Sequence, residues 1–416
     1  MSEAPIATSL ESVRRLTVTK QRLSGPLPRR PSTSAILSVV RDLAYVQWDP
    51  VSVVAPSHLL SLWARLGEFR PSDLDRLLWT DRELFLHWTP MASIVLTEDF
   101  PLYHELMRRY PDSLSHSWGS QRTQAKRFLS GHSELRTKIL RELRKGPRRR
   151  SEFEDHARTK RSVGEWSFGS DVSQMLYHLT MSGDVMVVGH EGNQNLWGLS
   201  APFLGDRVDR TELTEAQAAR AAAERALRAL GTASPREITY HFVRGRYSNI
   251  RETLAGLRED SVIHRVIVPE LGPRDERYVH DSDLRLLESM DSAAWRPRLS
   301  LLPPFDNLVY STARTNLLFG FDYVREQFLP KEKRKFGTYV LPILWGERLI
   351  GRLDPRFDRA QGELVINSVH AEPGAPADRE VGEAIAATVH RLAAFLGATR
   401  VTYTARIPGV WKRSLR

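Results

Sequence analysis

Three features of the sequence predict an α+β fold in which tandem helical units, each closed by a hairpin, precede a C-terminal β-rich, barrel-like module. Residues 133–204 read as three helices followed by two strands, and residues 211–282 repeat that order. Beyond about residue 300 the helical periodicity gives way to short apolar runs between turns. At roughly 150 residues per domain, 416 residues suggest about two to four units. The expected division is 1–132, 133–204, 211–282 and 300–416.

The first 30 residues run into Ser24-Gly25-Pro26-Leu27-Pro28-Arg29-Arg30-Pro31, where the prolines forbid a continuing helix. A helix restarts with Ser32 or Thr33 as N-cap and carries Ile36, Leu37, Val40, Leu43 and Ala44 on one face. Asp49-Pro50 breaks that pattern. A second helix follows from about Pro56 to Leu66, stopped by Gly67, and a short third begins at Ser72. In 133–204, Glu134–Leu143 is amphipathic and ends at Gly146-Pro147. Ser151 with Glu154 has capping-box spacing for a second helix. Ser170 or Asp171 opens a third, with Val172, Met175, Leu176 and Leu179 in a stripe that ends at Gly183. Asp184–Val188, a turn over Gly189–Asn195, and Leu196–Leu199 form the hairpin. In 211–282 the Ala-rich helix Glu215–Leu230 stops at Gly231, Ser234-Pro235 opens the next, and Ser248 opens one to about Asp260. Ser261–Pro269 and Arg277–His280 close the unit. Tyr339–Trp345, Arg348–Leu353, Glu363–Val369 and Arg400–Thr404 read as strands. Between the last two lies a helix of about Asp378–Leu396, with Asp378 and Glu380 in its first turn and Gly397 after its end.

Three helices and a hairpin are the order of a winged helix-turn-helix, a module that commonly grips DNA by its phosphates. The charge agrees: 60 Lys+Arg against 50 Asp+Glu, net +10, favours a polyanionic partner. Arg148, Arg149 and Arg150 follow Arg144-Lys145 between the first two helices of 133–204, with Arg158, Lys160 and Arg161 beyond. A second basic block is Lys331, Lys333, Arg334 and Lys335. Each cation set against a phosphate releases counterions; the alternative for either block is a solvated loop. Several tandem modules fit a monomer wrapping duplex DNA better than a dimeric repressor. With no Cys in the chain, thiolate zinc sites, thiolate-bound iron–sulfur clusters, disulfides and Cys nucleophiles are excluded. The 13 His show no paired metal-ligand spacing, so no metal or cofactor is expected. The apolar runs are too short for a membrane span, and the N-terminus lacks a signal-peptide pattern, which places the chain in the cytoplasm, with the nucleoid.

The local feature that stands apart is Tyr45-Val46-Gln47-Trp48-Asp49-Pro50-Val51-Ser52-Val53-Val54. In an extended stretch, Gln47 and Asp49 share a face about 7 Å apart, a spacing that holds one water, with Trp48 on the other face. The bland alternative is a pair of polar side chains making turn and cap hydrogen bonds beside a proline.

This string resembles the Gln-apolar-Asp/Gln motif of the winged-helix DNA glycosylases that unhook interstrand crosslinks, the YcaQ/AlkZ-type family. The resemblance continues through Leu59–Gly67, Phe85–Ser93, Pro101–Tyr110, Leu302–Tyr310, Arg314, Leu317–Phe321, Lys331–Gly337, Tyr339–Trp345 and Ile350-Gly351. Trp48 stands where the family usually has a smaller aliphatic residue, and Pro90 where many relatives have His. The resemblance implies tandem winged helices and a β-rich module cradling duplex DNA. It also implies hydrolysis of the N-glycosidic bond of N-alkylated purines, both N7-alkylguanine monoadducts and crosslinks, with Gln47 and Asp49 in the two catalytic positions. The Asp form of the motif resembles the broad-substrate branch. No Lys adjoins the motif, so a Schiff-base lyase step is not expected. Two other readings use the same scaffold: a catalytically silent DNA-binding protein acting as lesion sensor or regulator, and a protein–protein scaffold.

Overall fold

The computed structural model describes residues 4–49, 51–89, 91–115, 119–153, 170–192, 194–242, 245–247, 249–404 and 406–415. The chain is a mixed α+β protein that divides into two compact units, each assembled from separated segments. The first comprises residues 1–74, 226–237 and 257–416; the second comprises 75–225 and 238–256. Among the described residues no helix is long and apolar enough to cross a membrane.

In the first unit, Leu10–Lys20 forms a helix that the sequence reading did not anticipate, capped by Ser9 accepting from the Ser12 N–H. Its Val13 and Leu16 pack with Val266, Val268, Val279, Leu287, Met290 and Leu318. A small sheet runs in the order Ile6–Ala7, Ile263–Ile267, Arg277–His280, Thr232–Ala233. Next to it lies a buried ionic cluster. Glu237 accepts from Arg314 Nη1 at 2.7 Å and Arg277 Nη1 at 3.2 Å. Burial opposes ionisation there, but Arg314 and Arg277 hold the Glu237 carboxyl below its ordinary value. Helix Thr33–Leu43 is capped by Ser32, and helix Ser57–Leu66 ends at Gly67 with φ +71°, as the cap and stop signals predict.

The C-terminal module is a five-stranded sheet in the order Leu299–Leu301, Leu341–Trp345, Arg348–Asp358, Glu363–Ala371, Arg400–Tyr403. The last strand runs parallel to Glu363–Ala371, and helix Arg379–Leu396 makes the crossover between them. Val381, Ile385, Val389 and Leu392 are the buried face of that helix. Two strand limits differ from expectation. Arg348–Asp358 continues through Pro355, where a register shift between Asp354 and Pro355 accommodates the missing N–H. The strand expected from Tyr339 begins at Leu341, because the N–H groups of Thr338 and Tyr339 donate to Asp354 Oδ1 at 3.0 and 2.8 Å instead of to a ladder. Gly337, at φ +154°, leaves room for that carboxylate: a Cβ there would collide with Asp354.

In the second unit, helices Ser133–Leu143 and Asp171–Met181 pack Ile139, Leu143, Val172, Met175, Leu176 and Leu179 around Phe153 and Val185. Strands Val185–Glu191 and Gln194–Leu199 form the expected hairpin, with Arg148–Arg149 pairing on the far edge. The turn is shorter than predicted because the ladder continues to Glu191 and Gly192 turns at φ +57°. A capping pair joins Arg149 and Glu152, whose Oε2 accepts from the Arg149 N–H at 2.7 Å; Glu154, the expected partner of Ser151, lies outside the described residues. The predicted helix beyond it lies outside the described residues, as does Ser248. A hairpin of Leu84–Trp88 and Ala92–Leu96 and the helices Phe100–Arg108, Gly119–Gly131 and Ser200–Leu204 are among this unit's unanticipated elements.

Candidate active site

Helix Thr33–Leu43 ends at Ala44, which takes φ +68°. A non-glycine residue in that region costs about 1–3 kcal/mol and persists only where its surroundings hold it. Asn307 does so here. Its Nδ2 donates to the carbonyls of Leu43 at 3.3 Å and Tyr45 at 3.0 Å, immediately ahead of the strand Val46–Gln47. Gln47 is buried, and its Oε1 has no hydrogen-bond partner among the described residues. A buried amide oxygen left without a donor costs free energy, so it is a position where a water or substrate donor is favoured.

The strand stops at Gln47, so Trp48 and Asp49 do not continue the alternation expected of an extended stretch. Trp48 stacks on His58, with ring centroids 4.1 Å apart and planes 13° from parallel. Asp49 is half-buried. Its Oδ1 accepts from the Val51 N–H at 3.0 Å, and its main-chain carbonyl accepts from the Ser57 N–H at 3.2 Å. The turn hydrogen bond of the bland alternative is therefore present. Burial raises the Asp49 pKa above its ordinary value, and the Val51 N–H opposes this without cancelling it. His58 is driven down to about 3 by burial, against the Asp49 carbonyl, which favours the protonated ring; it is a neutral, packed side chain at physiological pH. Tyr339 is buried, and first burial and then the Asp49 charge raise its pKa, against the Ser57 side chain.

The loop after Asp49 is held by the end of the C-terminal sheet. Beyond Leu353 the strand Arg348–Asp358 has outrun its neighbour Leu341–Trp345, which leaves its edge free. There Phe357 N–H donates to the Val53 carbonyl at 3.2 Å. Arg359 donates to the carbonyls of Ser52 at 3.2 Å and Val54 at 2.9 Å, with its guanidinium 5.4 Å from the Phe357 ring centroid.

The basic residues differ in availability. Lys331, Lys333 and Lys335 are exposed and make no ion pair among the described residues. Arg334 folds back, with Nε donating to the Leu329 carbonyl at 2.9 Å and Nη1 to Thr338 Oγ1 at 3.2 Å. In the second unit, Arg148 pairs with Glu142 at 3.2 Å, and Arg149 pairs with Glu152 at 3.2 Å and Glu191 at 3.4 Å; Arg150 is exposed. Arg158, Lys160 and Arg161 lie outside the described residues, as do Pro50 and Pro90. The supports of the motif, Asn307, His58, Tyr339 and Arg359, carry no local signal of their own. Asn307 and Tyr339 fall within the family-like blocks, but nothing in the spacing points to His58 or Arg359.

The architecture is similar to that of the Streptomyces sahachiroi DNA glycosylase AlkZ, with a TM-score of 0.65 at 18% identity, over 97% of this chain and 100% of that one. Residues 40–395 match the family model described as "DNA glycosylase AlkZ-like". The protein is thus a DNA glycosylase, a DNA-repair hydrolase whose substrate is DNA. It belongs to the AlkZ-like DNA glycosylase family, and that membership decides against the silent DNA-binding and scaffold readings.

Proposed function

We propose that this glycosylase is monofunctional and hydrolyses the N-glycosidic bond of N-alkylated purines in duplex DNA, both N7-alkylguanine monoadducts and interstrand crosslinks. An N7-alkylated guanine carries a formal positive charge and leaves without strong protonation. The remaining work is to stabilise an oxocarbenium-like deoxyribose and to deliver water to its anomeric carbon. A fixed carboxylate does both, offering negative charge to the developing cation and accepting a proton from water. The same division of labour operates in glycoside hydrolysis. Asp49 has this role, and Gln47 orients the water or the sugar through its unpartnered Oε1.

The observation that carries the reading is a half-buried Asp49 with a raised pKa on a loop pinned from both sides, two residues after a buried amide with an unused acceptor. A raised pKa brings the carboxylate nearer to neutrality as a base, and the pinning fixes where it points. The protein works as a monomer in the cytoplasm, with the nucleoid. Its 133–204 and 211–282 segments act as winged helices between an N-terminal unit, 1–132, and a C-terminal module, 300–416. The exposed Arg150, Lys331, Lys333 and Lys335, with Arg158 and Lys160, contact phosphates, and Arg148, Arg149 and Arg334 reach them by exchanging their present partners. The test is to incubate the protein with duplexes carrying N7-methylguanine or a nitrogen-mustard crosslink and to score alkali-labile abasic sites. Product well above an Asp49→Asn background is expected; no excess on any adduct would reject the reading.

A further inference from the structure

Phe328 is 70% exposed, the most exposed large hydrophobic side chain among the described residues. It ends the short 3-10 turn Glu326–Phe328, directly ahead of the basic block. A single exposed apolar side chain is ordinary on a protein surface; this ring is set apart by the rigid basic loop that presents it.

The ring is held on rigid supports. Glu326, 4% exposed, turns its carboxylate onto three backbone N–H groups, those of Lys335 at 3.1 Å, Phe336 at 2.8 Å and Gly337 at 3.1 Å. That closes the segment 326–337 into a preformed loop. Arg334, donating to the Leu329 carbonyl, ties the loop across its middle. Phe305 supports the Phe328 ring from below, with centroids 6.1 Å apart, and Arg325 lies over Phe305 and Tyr310. Two residues beyond Phe305, Asn307 holds the chain ahead of Gln47. Two residues beyond Gly337 stands Tyr339, which feels the Asp49 charge. The loop thus adjoins in the chain two residues that bear on the Gln47–Asp49 segment, and within the seven residues after the exposed ring it carries exposed Lys331, Lys333 and Lys335, with exposed Glu332 among them.

We propose that Phe328 is a DNA wedge: a preorganised aromatic ring that the surrounding lysines deliver to the duplex beside the lesion, where it stacks on a base and partly unstacks a step. Charge complementarity commits the surface to nucleic acid, because a net-basic loop that presents an apolar ring suits a strand whose phosphates lie outside its bases. Insertion of an apolar side chain between base steps opens and bends a duplex, and stacking on an aromatic ring is tolerant of base identity. The proposal deepens the reading of the Gln47–Asp49 site and rests on it for the position of the lesion.

The test uses the full chain with a duplex that contains a tetrahydrofuran abasic analogue beside 2-aminopurine, so no catalysis is needed. Wild-type protein should raise 2-aminopurine fluorescence on binding. Phe328→Ala should lose most of that rise and bind this duplex about 5- to 50-fold more weakly, while the slope of log affinity against log salt stays unchanged, since no phosphate contact is removed. Phe328→Trp should restore both. Unchanged fluorescence and affinity in Phe328→Ala overturn the proposal, and so does a loss that Phe328→Trp fails to restore. Base release by the wild type from N7-methylguanine duplex is scored separately, so a failure of the catalytic reading is distinguishable from a failure of the wedge.

Discussion

Asp49 is a carboxylate placed where its charged form is costly. Burial raises its pKa, so the folded state binds a proton more readily than the unfolded chain does. Stability from this group is greatest at acid pH and is lost as pH rises through the window between the ordinary carboxylate value and the raised one. Activity has the opposite sign, since only the ionised form serves as base and counter-charge. The rate is therefore expected to climb with pH through a limb displaced above the ordinary carboxylate range and then level off. Asp49→Asn should lower single-turnover base release by about 10²- to 10⁴-fold without lowering the melting temperature near pH 7. A large drop in melting temperature alongside the lost activity would mean that the side chain is structural. Gln47→Ala should cost less than Asp49→Asn in the same assay.

At the level of elements, the strand Arg348–Asp358 does two tasks. Its first half is sheet interior; its second half, beyond the bulge at Pro355, reaches the loop 51–54 through Phe357, and Arg359, the residue after its end, adds a second hold. Arg359 is exposed, so Arg359→Ala should fold normally. It should nonetheless slow catalysis by about 10- to 100-fold through a misplaced Asp49, with duplex binding little changed, as anisotropy titration beside single-turnover kinetics would reveal. Equal rates in variant and wild type would show that the clamp is dispensable. The helix Ser57–Leu66 has a harder anchor. Arg65 meets Asp306 through Nη1 at 2.5 Å and Nη2 at 3.0 Å, both side chains fully buried. Removing one partner strands the other charge, which costs about 3–5 kcal/mol. Arg65→Leu should show that loss in chemical denaturation, and because Asn307 follows Asp306, the loop holding Gln47 should suffer with it.

Across the whole molecule, buried neutral histidines set the acid limit. Burial lowers His58 and His87 to about 3 and His178 to about 4; at His87 the Arg246 charge adds to it. Their unfolded value is near 6.5. Below that pH the unfolded chain takes up protons that the native rings refuse, so stability falls as pH drops from about 6.5 toward those values. His58 belongs to the first unit and His87 and His178 to the second, so both units should weaken together. Melting temperatures measured from pH 7.5 to 4.5 should fall steadily below pH 6.5; a flat profile down to pH 5 would show that these rings titrate normally.

What local chemistry controls was legible in the order of residues. Ser32, Gly67, Gly231 and Gly397 mark helix ends because caps and left-handed turns act within a few residues, and the Ala-rich run Glu215–Leu230 and the apolar face of the helix expected at about Asp378–Leu396 follow from propensity and a single period. The Gln47-Trp48-Asp49 string was legible as a motif through its family resemblance, not through its spacing. Whatever depends on distant partners emerged only on folding. A strand running past Pro355 needs a bulge and a neighbour on one edge only, and neither is written in the five residues around the proline. The division into two units, with 226–237 and 257–416 joined to 1–74, comes from burial shared between remote segments. Burial in the folded chain made Asp49 a carboxylate of raised pKa, and Asn307 and Arg359, some 260 to 310 residues away in the chain, hold the backbone before and after it, because desolvation and positioning belong to the packed interior and not to the order of residues.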